Sequence, residues 1–132
     1  MTNPYIINFQ NIDSDTGVLN IFEVQNQINF DIKRVFILNE INENVIRGNH
    51  AHKETQQLLI CLSVQIEIFT EMPNGDTFNF ILNNSRVGLF LPPQAWHYMK
   101  YLKGTIQMVC ASQKYDEYDY LRSRMDFKEY YK

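Results

Sequence analysis

Histidine is the residue type whose placement in this sequence points most directly to chemistry. The chain has three histidines, and two of them, His50 and His52, are separated by one residue. Side chains two apart on an extended strand lie on the same face, so these two imidazoles should point the same way. The third, His97, follows the apolar segment 87–91. Imidazole gains and loses protons near neutral pH. A lone histidine is more often a packed or solvated residue, but three converging rings predict a proton-transfer site.

Short apolar segments separated by turn residues predict the strands that would position these histidines. Many short strands joined by tight turns favour a β-sandwich or barrel. After Asp116, acidic residues precede Leu121 and two arginines, which favours a short helical segment. We therefore predict an all-β barrel with a short C-terminal helical segment, forming one domain over residues 1–132. The predicted strands cover residues 32–38, 58–62, 64–68, 77–82, 87–91, 98–102 and 105–111.

Local patterns add detail to this barrel. The nearly continuous apolar run 58–62 predicts a strand covered on both faces. In the segment 64–68, Val64, Ile66 and Ile68 alternate with polar residues, which predicts one buried face. Asn74-Gly75 predicts a hairpin turn, because both residues tolerate positive φ. Lys103-Gly104 predicts a turn between the last two strands.

Composition excludes several classes of protein. The net charge is −3, the pI is about 5.5 and there is no run of Lys or Arg, so nucleic-acid binding is not expected. No segment reaches the roughly 18 consecutive apolar residues of a membrane helix. The N-terminus lacks the features of a signal peptide, so we expect a cytoplasmic protein. Cys61 and Cys110 are then expected to be buried thiols within strands.

Four segments carry a family resemblance: Arg47-Gly48-Asn49-His50-Ala51-His52-Lys53, Pro92-Pro93-Gln94-Ala95-Trp96-His97, Lys33-Arg34-Val35, and residues 111–122. Together they resemble the cupin fold and, more narrowly, the nucleotide-sugar 3,4-ketoisomerases of the FdtA/QdtA-like group. The resemblance implies an RmlC-like jelly-roll barrel. It also implies an isomerase that moves the keto group of a dTDP-4-keto-6-deoxyhexose from C4 to C3 through an enediol. Such an enzyme supplies a ketone for aminotransfer in the biosynthesis of deoxyamino sugars of bacterial glycans, such as the O-antigen of lipopolysaccharide.

Spacing and resemblance together assign the catalytic residues. We expect His50 to remove and return the carbon-bound proton, and His52 to move protons between the two oxygens. His97 is expected to orient this pair or to polarise a carbonyl. Both proton transfers need groups that titrate near neutral pH and lie within about 3 Å of the reacting atoms.

The substrate-binding candidates are mostly cationic. Arg34 and Arg122 match the family pattern and are expected to bind the diphosphate, because guanidinium groups pair well with phosphate oxygens. Arg47 lies three residues before His50 and would face away from it on a regular strand, so it reaches the site only if Gly48 permits a β-bulge. Three further candidates are Lys53, Trp96 and Tyr98, although a tryptophan more often packs in a core than stacks on a base.

The sequence predicts no metal and no cofactor. Metal-binding cupins carry a Glu four or five positions after the H-x-H pair, where this chain has Gln56 and Gln57. Neutral amides are poor ligands for a hard cation, and Glu54 is expected to be a solvated turn residue. A metal-dependent cupin enzyme and a non-catalytic cupin that binds a sugar nucleotide are the alternatives. The resemblance also implies a homodimer, in which a strand at 5–9 is a candidate for exchange between subunits.

Overall fold

The computed structural model describes residues 2–132. They form two large antiparallel β-sheets, a small two-stranded sheet and a short helix. Strands alternate apolar and polar residues where one face is buried, as the short segments of the sequence predict. The elements are β1 (Tyr5–Asn8), β2 (Gln10–Ser14), β3 (Gly17–Ile21), β4 (Arg34–Leu38), β5 (Val45–His52), β6 (Gln57–Ser63), β7 (Ile66–Glu71), β8 (Thr77–Leu82), β9 (Val87–Leu91), β10 (Trp96–Tyr101), β11 (Ile106–Ala111), β12 (Tyr120–Leu121) and α1 (Arg124–Tyr130).

The two five-stranded sheets form the jelly roll that the resemblance implies. One sheet has the strand order β1-β9-β6-β11-β4, and the other has the order β12-β5-β10-β7-β8. The hairpin β2–β3 forms a separate two-stranded sheet. Strands consecutive in the chain mostly belong to opposite sheets, so the chain crosses repeatedly over the space between them. The prediction of an all-β jelly-roll barrel with a short C-terminal helix is confirmed.

The sheet that contains β6 is covered on both faces, as its apolar sequence predicts. Leu59 and Cys61 point into the core between the two sheets. Leu58 and Ile60 point the other way, into a second cluster that includes Ile28 and Phe30 from the segment before β4. Leu62, the last residue of the predicted run, is exposed. The thiols of Cys61 and Cys110 are both buried and unpaired, as expected.

The predicted turns are present, with two differences. A turn at residues 73–76 joins β7 to β8, and the amide of Gly75 donates to the carbonyl of Met72 at 2.9 Å. Val64 was expected on a buried strand face but is exposed, with φ +71°, because it belongs to the turn before β7. Lys103-Gly104 does form a turn, but the strands on either side, β10 and β11, pair in different sheets.

Strand β5 carries the H-x-H pair and contains a β-bulge. His97 of β10 pairs with His50, whereas Tyr98 pairs with Gly48, so β5 has one extra residue, Asn49, at this point. Both bulge residues have positive φ, +95° for Gly48 and +58° for Asn49. Glycine and asparagine are the residues that adopt this conformation most readily. The bulge on which the placement of Arg47 depends is therefore present.

The C-terminal segment is a turn, a short strand and a helix rather than the helix expected directly after Asp116. Residues Glu117–Asp119 form one 3₁₀ turn, β12 follows, and α1 begins after Ser123, whose hydroxyl accepts from the amide of Asp126. Pairing of β12 with β5 competes with helix formation here, and the two backbones hydrogen-bond at His52 and Ala51.

Helix α1 is anchored to the barrel by one apolar and one ionic contact. Phe127 is buried against a small cluster that includes Trp96 and Leu121. Arg124 and Lys128 both pair with the buried carboxylate of Glu71 at the end of β7, the latter at 2.6 Å. No helix in residues 2–132 combines the length and the hydrophobicity needed to cross a membrane.

Candidate active site

The three histidines meet in one cavity between the sheets, as their spacing predicts. The ring centroid of His50 lies 5.1 Å from that of His52 and 4.7 Å from that of His97, and the His52 and His97 centroids are 6.2 Å apart. The cavity has a volume of about 300 Å³. It is lined by Phe36, Ile37, Leu38, Arg47, Gly48, His50, His52, Gln57, Leu59, His97, Met99, Tyr101, Gln107, Val109 and Tyr120.

His52 is held by a buried carboxylate. Its Nδ1 lies 3.0 Å from Oδ2 of Asp119, which also accepts a hydrogen bond from the hydroxyl of Thr55. The other oxygen, Oδ1, accepts from the amide of Glu54 at 2.8 Å. A carboxylate that accepts these bonds requires Nδ1 of His52 to carry a hydrogen. In the neutral ring Nε2 then has a free lone pair, and this atom is buried without a partner in residues 2–132.

His97 is held by a backbone carbonyl. Its Nδ1 lies 3.0 Å from the carbonyl oxygen of Ala95, which can only accept, so Nδ1 carries the hydrogen. Nε2 of the neutral ring is consequently an acceptor and cannot donate to a carbonyl group. The expectation that His97 polarises a substrate carbonyl therefore does not fit this tautomer. Its place beside His50 fits the other expected role, the orientation of the histidine pair.

All three imidazoles are neutral near pH 7. Burial, followed by repulsion from His52, lowers the pKa of His50 from 6.5 to about 4. Burial, followed by repulsion from His97, lowers the pKa of His52 to about 4, and the hydrogen bond with Asp119 opposes this shift. Burial also lowers the pKa of His97 to about 3. Three neighbouring rings in a low dielectric disfavour positive charge, so each starts as a potential proton acceptor.

Phe36 and Tyr120 line the cavity, and an arginine lies against the ring of each. The ring of Tyr120 lies 5.1 Å from His50 and 4.4 Å from His52, and the guanidinium of Arg122 lies 4.1 Å above it. The guanidinium of Arg34 lies over the rings of Phe36 and Tyr115, at 5.3 and 5.7 Å. The diphosphate-binding candidates Arg34 and Arg122 are therefore both close to the histidines.

The bulge in β5 brings Arg47 to the cavity. His97 and Met99 point to the same side of β10 and both line the cavity, and their partners across the ladder are His50 and Arg47. Arg47 and His50 therefore share a face although they are three residues apart. Within residues 2–132 neither Arg47 nor Arg34 forms an ion pair.

Among the predicted substrate-binding residues, Arg47 lines the cavity and Arg34 and Arg122 lie against rings that line it, whereas the other three point elsewhere. Trp96 and Tyr98 flank His97 on β10, and alternation directs both to the opposite face. Trp96 is buried against Phe127, and Tyr98 stacks on Phe69 on the outer surface of the sheet. Lys53 follows the end of β5, where its ammonium lies over the ring of Tyr130 of α1. In this chain these three residues therefore do not contribute to the histidine cavity.

Sequence reasoning missed three residues that build the site. Asp119, Thr55 and Tyr120 act through tertiary contacts, and the order of the residues alone does not show that a segment after β11 pairs with the H-x-H strand. For Asp119 and Tyr120 the available signal was the segment 111–122, which the resemblance matched while assigning a role only to Arg122.

The acidic residue nearest the histidines in sequence does not join them. Glu54 is exposed in the bend after β5, as expected, and only its backbone amide contacts the site. Gln57 lines the cavity in place of an acidic residue. Across residues 2–132, no group of three or more His, Cys, Asp or Glu side chains is arranged to hold a metal ion.

A family model and a characterised relative both match this chain over nearly its whole length. The family model described as "FdtA: WxcM-like, C-terminal" matches residues 2–132. The TDP-4-oxo-6-deoxy-α-D-glucose-3,4-oxoisomerase of Aneurinibacillus thermoaerophilus is 36% identical over 127 residues, which are 95% of this chain and 90% of that protein.

Two solved structures are similar over nearly the whole chain. The sugar 3,4-ketoisomerase QdtA of Thermoanaerobacterium thermosaccharolyticum, in complex with TDP, superposes with a TM-score of 0.90 at 34% identity, covering 97% of this chain and 93% of that one. A 3,4-ketoisomerase from Helicobacter canadensis gives a TM-score of 0.92 at 30% identity, covering 99% and 98%. The resemblance found in the sequence is thereby confirmed, and the chain belongs to the WxcM-like FdtA family.

Proposed function

We propose that this protein is an enzyme that isomerises a TDP-linked 4-keto-6-deoxyhexose to its 3-keto isomer by histidine acid–base catalysis. The observation that carries the proposal is the meeting of three neutral imidazoles in one cavity, where Nε2 of His52 is buried and finds no partner among residues 2–132. The named activity of the relatives provides the substrate class. We assign residues 1–132 to one cupin domain that acts without a metal or cofactor.

The reaction needs two kinds of proton transfer. A base removes the proton from C3, next to the C4 carbonyl, to give an enediol, and a proton is then returned at C4. A second proton moves from the C3 oxygen to the C4 oxygen. In our assignment the neutral ring of His50 exchanges the carbon-bound proton, since it lies between the other two imidazoles and is fixed by neither carboxylate nor buried hydroxyl.

His52 is suited to transfer the proton from the C3 oxygen to the C4 oxygen. Asp119 fixes its ring and stabilises the imidazolium that forms when Nε2 accepts a proton. Nε2 can then donate that proton to the neighbouring oxygen, which returns the ring to its starting state. His97, an acceptor at Nε2, is assigned the role of orienting His50, whose ring it meets edge to face.

Arg34 is the cationic residue best placed to bind the diphosphate. Its Nε is buried without a hydrogen-bond partner in residues 2–132, and two aromatic rings hold its guanidinium. An unpaired buried donor is costly, and a phosphate oxygen would satisfy it. We expect Arg34→Ala to weaken TDP binding, as measured by calorimetry. Arg86→Ala is the matched control, because Arg86 pairs with Asp13 at an exposed site away from the cavity. Equal effects of the two variants would contradict this role.

The test of the proposed function is turnover in deuterium oxide. The protein is incubated with TDP-4-keto-6-deoxyglucose, and NMR follows the product. We expect a 3-keto isomer carrying solvent deuterium at C4, and the same spectra report whether C4 has the gluco or the galacto configuration. His50→Asn should abolish exchange at carbon while TDP affinity is retained. Unlabelled, unchanged substrate with the folded wild-type protein would instead identify a binding module and refute the proposal.

Two further expectations accompany the proposal. The homodimer and the cytoplasmic location stay predictions, and light scattering on the purified protein tests the first. In this structure β1 pairs with β9 of its own chain, so strand exchange between subunits would require this pairing to be replaced by an equivalent one.

A further inference from the structure

The guanidinium of Arg122 is already occupied by an internal carboxylate. Its Nε lies 2.6 Å from Oε1 of Glu117, and its Nη2 lies 2.8 Å from Oε2. Two parallel N–H···O bonds of this kind are also the geometry in which arginine binds phosphate. Glu117 therefore occupies the Nε–Nη2 edge of Arg122, one of the edges that the guanidinium could offer to a diphosphate.

Glu117 contacts Arg122 directly and is linked to Arg34 through Tyr115. Arg122 rests on the ring of Tyr120, which contacts both His50 and His52. The hydroxyl of Tyr115 donates to Oε2 of Glu117, and the same Tyr115 ring lies under the guanidinium of Arg34. A diphosphate bound to Arg34 would thus approach an anion that is held one aromatic ring away.

The carboxylate is charged and exchangeable. Hydrogen bonds from Arg122 and then from Tyr115 lower the pKa of Glu117 to about 2, so it remains an anion throughout the neutral range. The side chains of Glu117 and Arg122 are about half exposed, 55% and 52%. Ion pairs exposed to this degree contribute only about 0–1 kcal/mol, so a dianionic ligand can replace the internal partner.

We propose that Glu117 determines affinity for the substrate by occupying Arg122 in the free enzyme, and that the diphosphate of the nucleotide sugar displaces it. This inference rests on the proposed function and names a residue that function does not require. Glu117 returns to Arg122 when the product leaves, so it weakens retention of the product as well as binding of the substrate. Glu117 acts through Arg122 and does not touch the reacting atoms, so it is a positioning residue.

The experiment is a double-mutant cycle read by calorimetric titration with TDP. Glu117→Gln removes the competing charge at nearly constant shape, so we expect Kd for TDP to fall about three- to fivefold. KM for the keto sugar should fall by a similar factor without an increase in kcat. Arg122→Ala should weaken TDP binding. In that background Glu117→Gln should have a clearly smaller effect, because there is no guanidinium left to compete for and only repulsion between Glu117 and the diphosphate remains.

Glu129→Gln is the matched control for charge alone. Glu129 is exposed on α1, away from the cavity, and its removal changes the net charge by the same amount. We expect it to leave Kd and turnover unchanged. Unchanged or weaker TDP binding by Glu117→Gln would overturn the proposal, and so would a gain that is equally large without Arg122. These results are independent of turnover, so the absence of isomerisation would count against the proposed function and not against this inference.

Discussion

His50 lies directly opposite His97 across the β5–β10 ladder, at the position where the register of that ladder shifts. Because of this shift, Asn49 is the extra residue of the bulge, and Arg47 lies on the same face of β5 as His50. A regular strand would send residues three apart to opposite faces. One extra residue thus provides the cavity with both a base and a cation from the same strand.

The bulge predicts a specific effect of Gly48→Ala. A Cβ at this position would lie 3.1 Å from the carbonyl oxygen of His97 and 3.2 Å from Cα of Tyr98, and backbone cannot give way easily. Gly75 is the matched control, because its φ of +94° equals the +95° of Gly48 while nothing lies within 4 Å of its added Cβ. Gly75→Ala should cost about 1 kcal/mol of unfolding free energy.

Gly48→Ala should cost about 1–3 kcal/mol more than this control, and it should reduce isomerase activity by displacing His50 and Arg47. Urea denaturation and turnover assays measure both effects. Equal stabilities of the two variants would show that the backbone adapts at the bulge without cost.

The contact of His52 with Asp119 predicts the effect of Asp119→Asn. An asparagine amide turned towards Nδ1 favours the tautomer with the hydrogen on Nε2, which then cannot accept a proton. We expect kcat to fall about 10²-fold or more, with little change in KM because Asp119 does not line the cavity. Asp116→Asn is the control, because Asp116 caps the 3₁₀ turn at an exposed position and asparagine caps equally well. A kcat within threefold of wild type for Asp119→Asn would contradict the role of this contact.

The lowered pKa values of the histidines predict how stability depends on pH. In the unfolded chain these rings titrate near 6.5, whereas in the folded protein they titrate near 4 or 3. Between about pH 6.5 and pH 4 the unfolded state binds more protons, so the free energy of unfolding falls as the pH falls.

We expect a loss on the order of a few kcal/mol between pH 7 and pH 4.5, measured by urea denaturation at each pH. His97→Gln removes one of the three groups and should make the dependence shallower. A stability that is constant from pH 7 to pH 4.5 would mean that the imidazoles are not desolvated as the structure shows.

The anchoring of α1 predicts that Phe127→Ala affects the site from a distance. Phe127 is 1% exposed and its ring lies 5.8 Å from that of Trp96, the single tryptophan of the chain. Loss of a buried Phe costs about 3–5 kcal/mol. We expect α1 to detach, β12 to loosen and Asp119 to lose its place beside His52.

The measurement is the intrinsic fluorescence of Trp96, which should shift to longer wavelength, together with a decrease in kcat. Met125→Ala on the same helix is the control, because Met125 is 77% exposed, and neither quantity should change. If a Phe127→Ala protein has shifted fluorescence but normal turnover, the active site does not depend on the anchoring of α1.

Local patterns predicted much of the fold and the centre of the site. Short apolar segments identified β4 and β6 to β11 but not β2, β3 or β12. Asn74-Gly75 identified a hairpin, and the spacing of His50 and His52 placed two rings on one face. Those predictions concern residues close together in sequence, whose relative positions follow from the geometry of a strand or turn. Asp119 belongs to a different case, because its contact with His52 depends on where β12 docks. Trp96 and Tyr98 flank His97, and alternation sends both to the other face of β10.

The position of Asp119 has a consequence for folding. Asp119 and Tyr120 follow every strand that carries a histidine, and β12 pairs with β5 at the edge of its sheet. The ring of His52 therefore gains its anchor only when this last strand docks. An intermediate with β12 detached would hold the histidines without the contact that fixes the tautomer of His52.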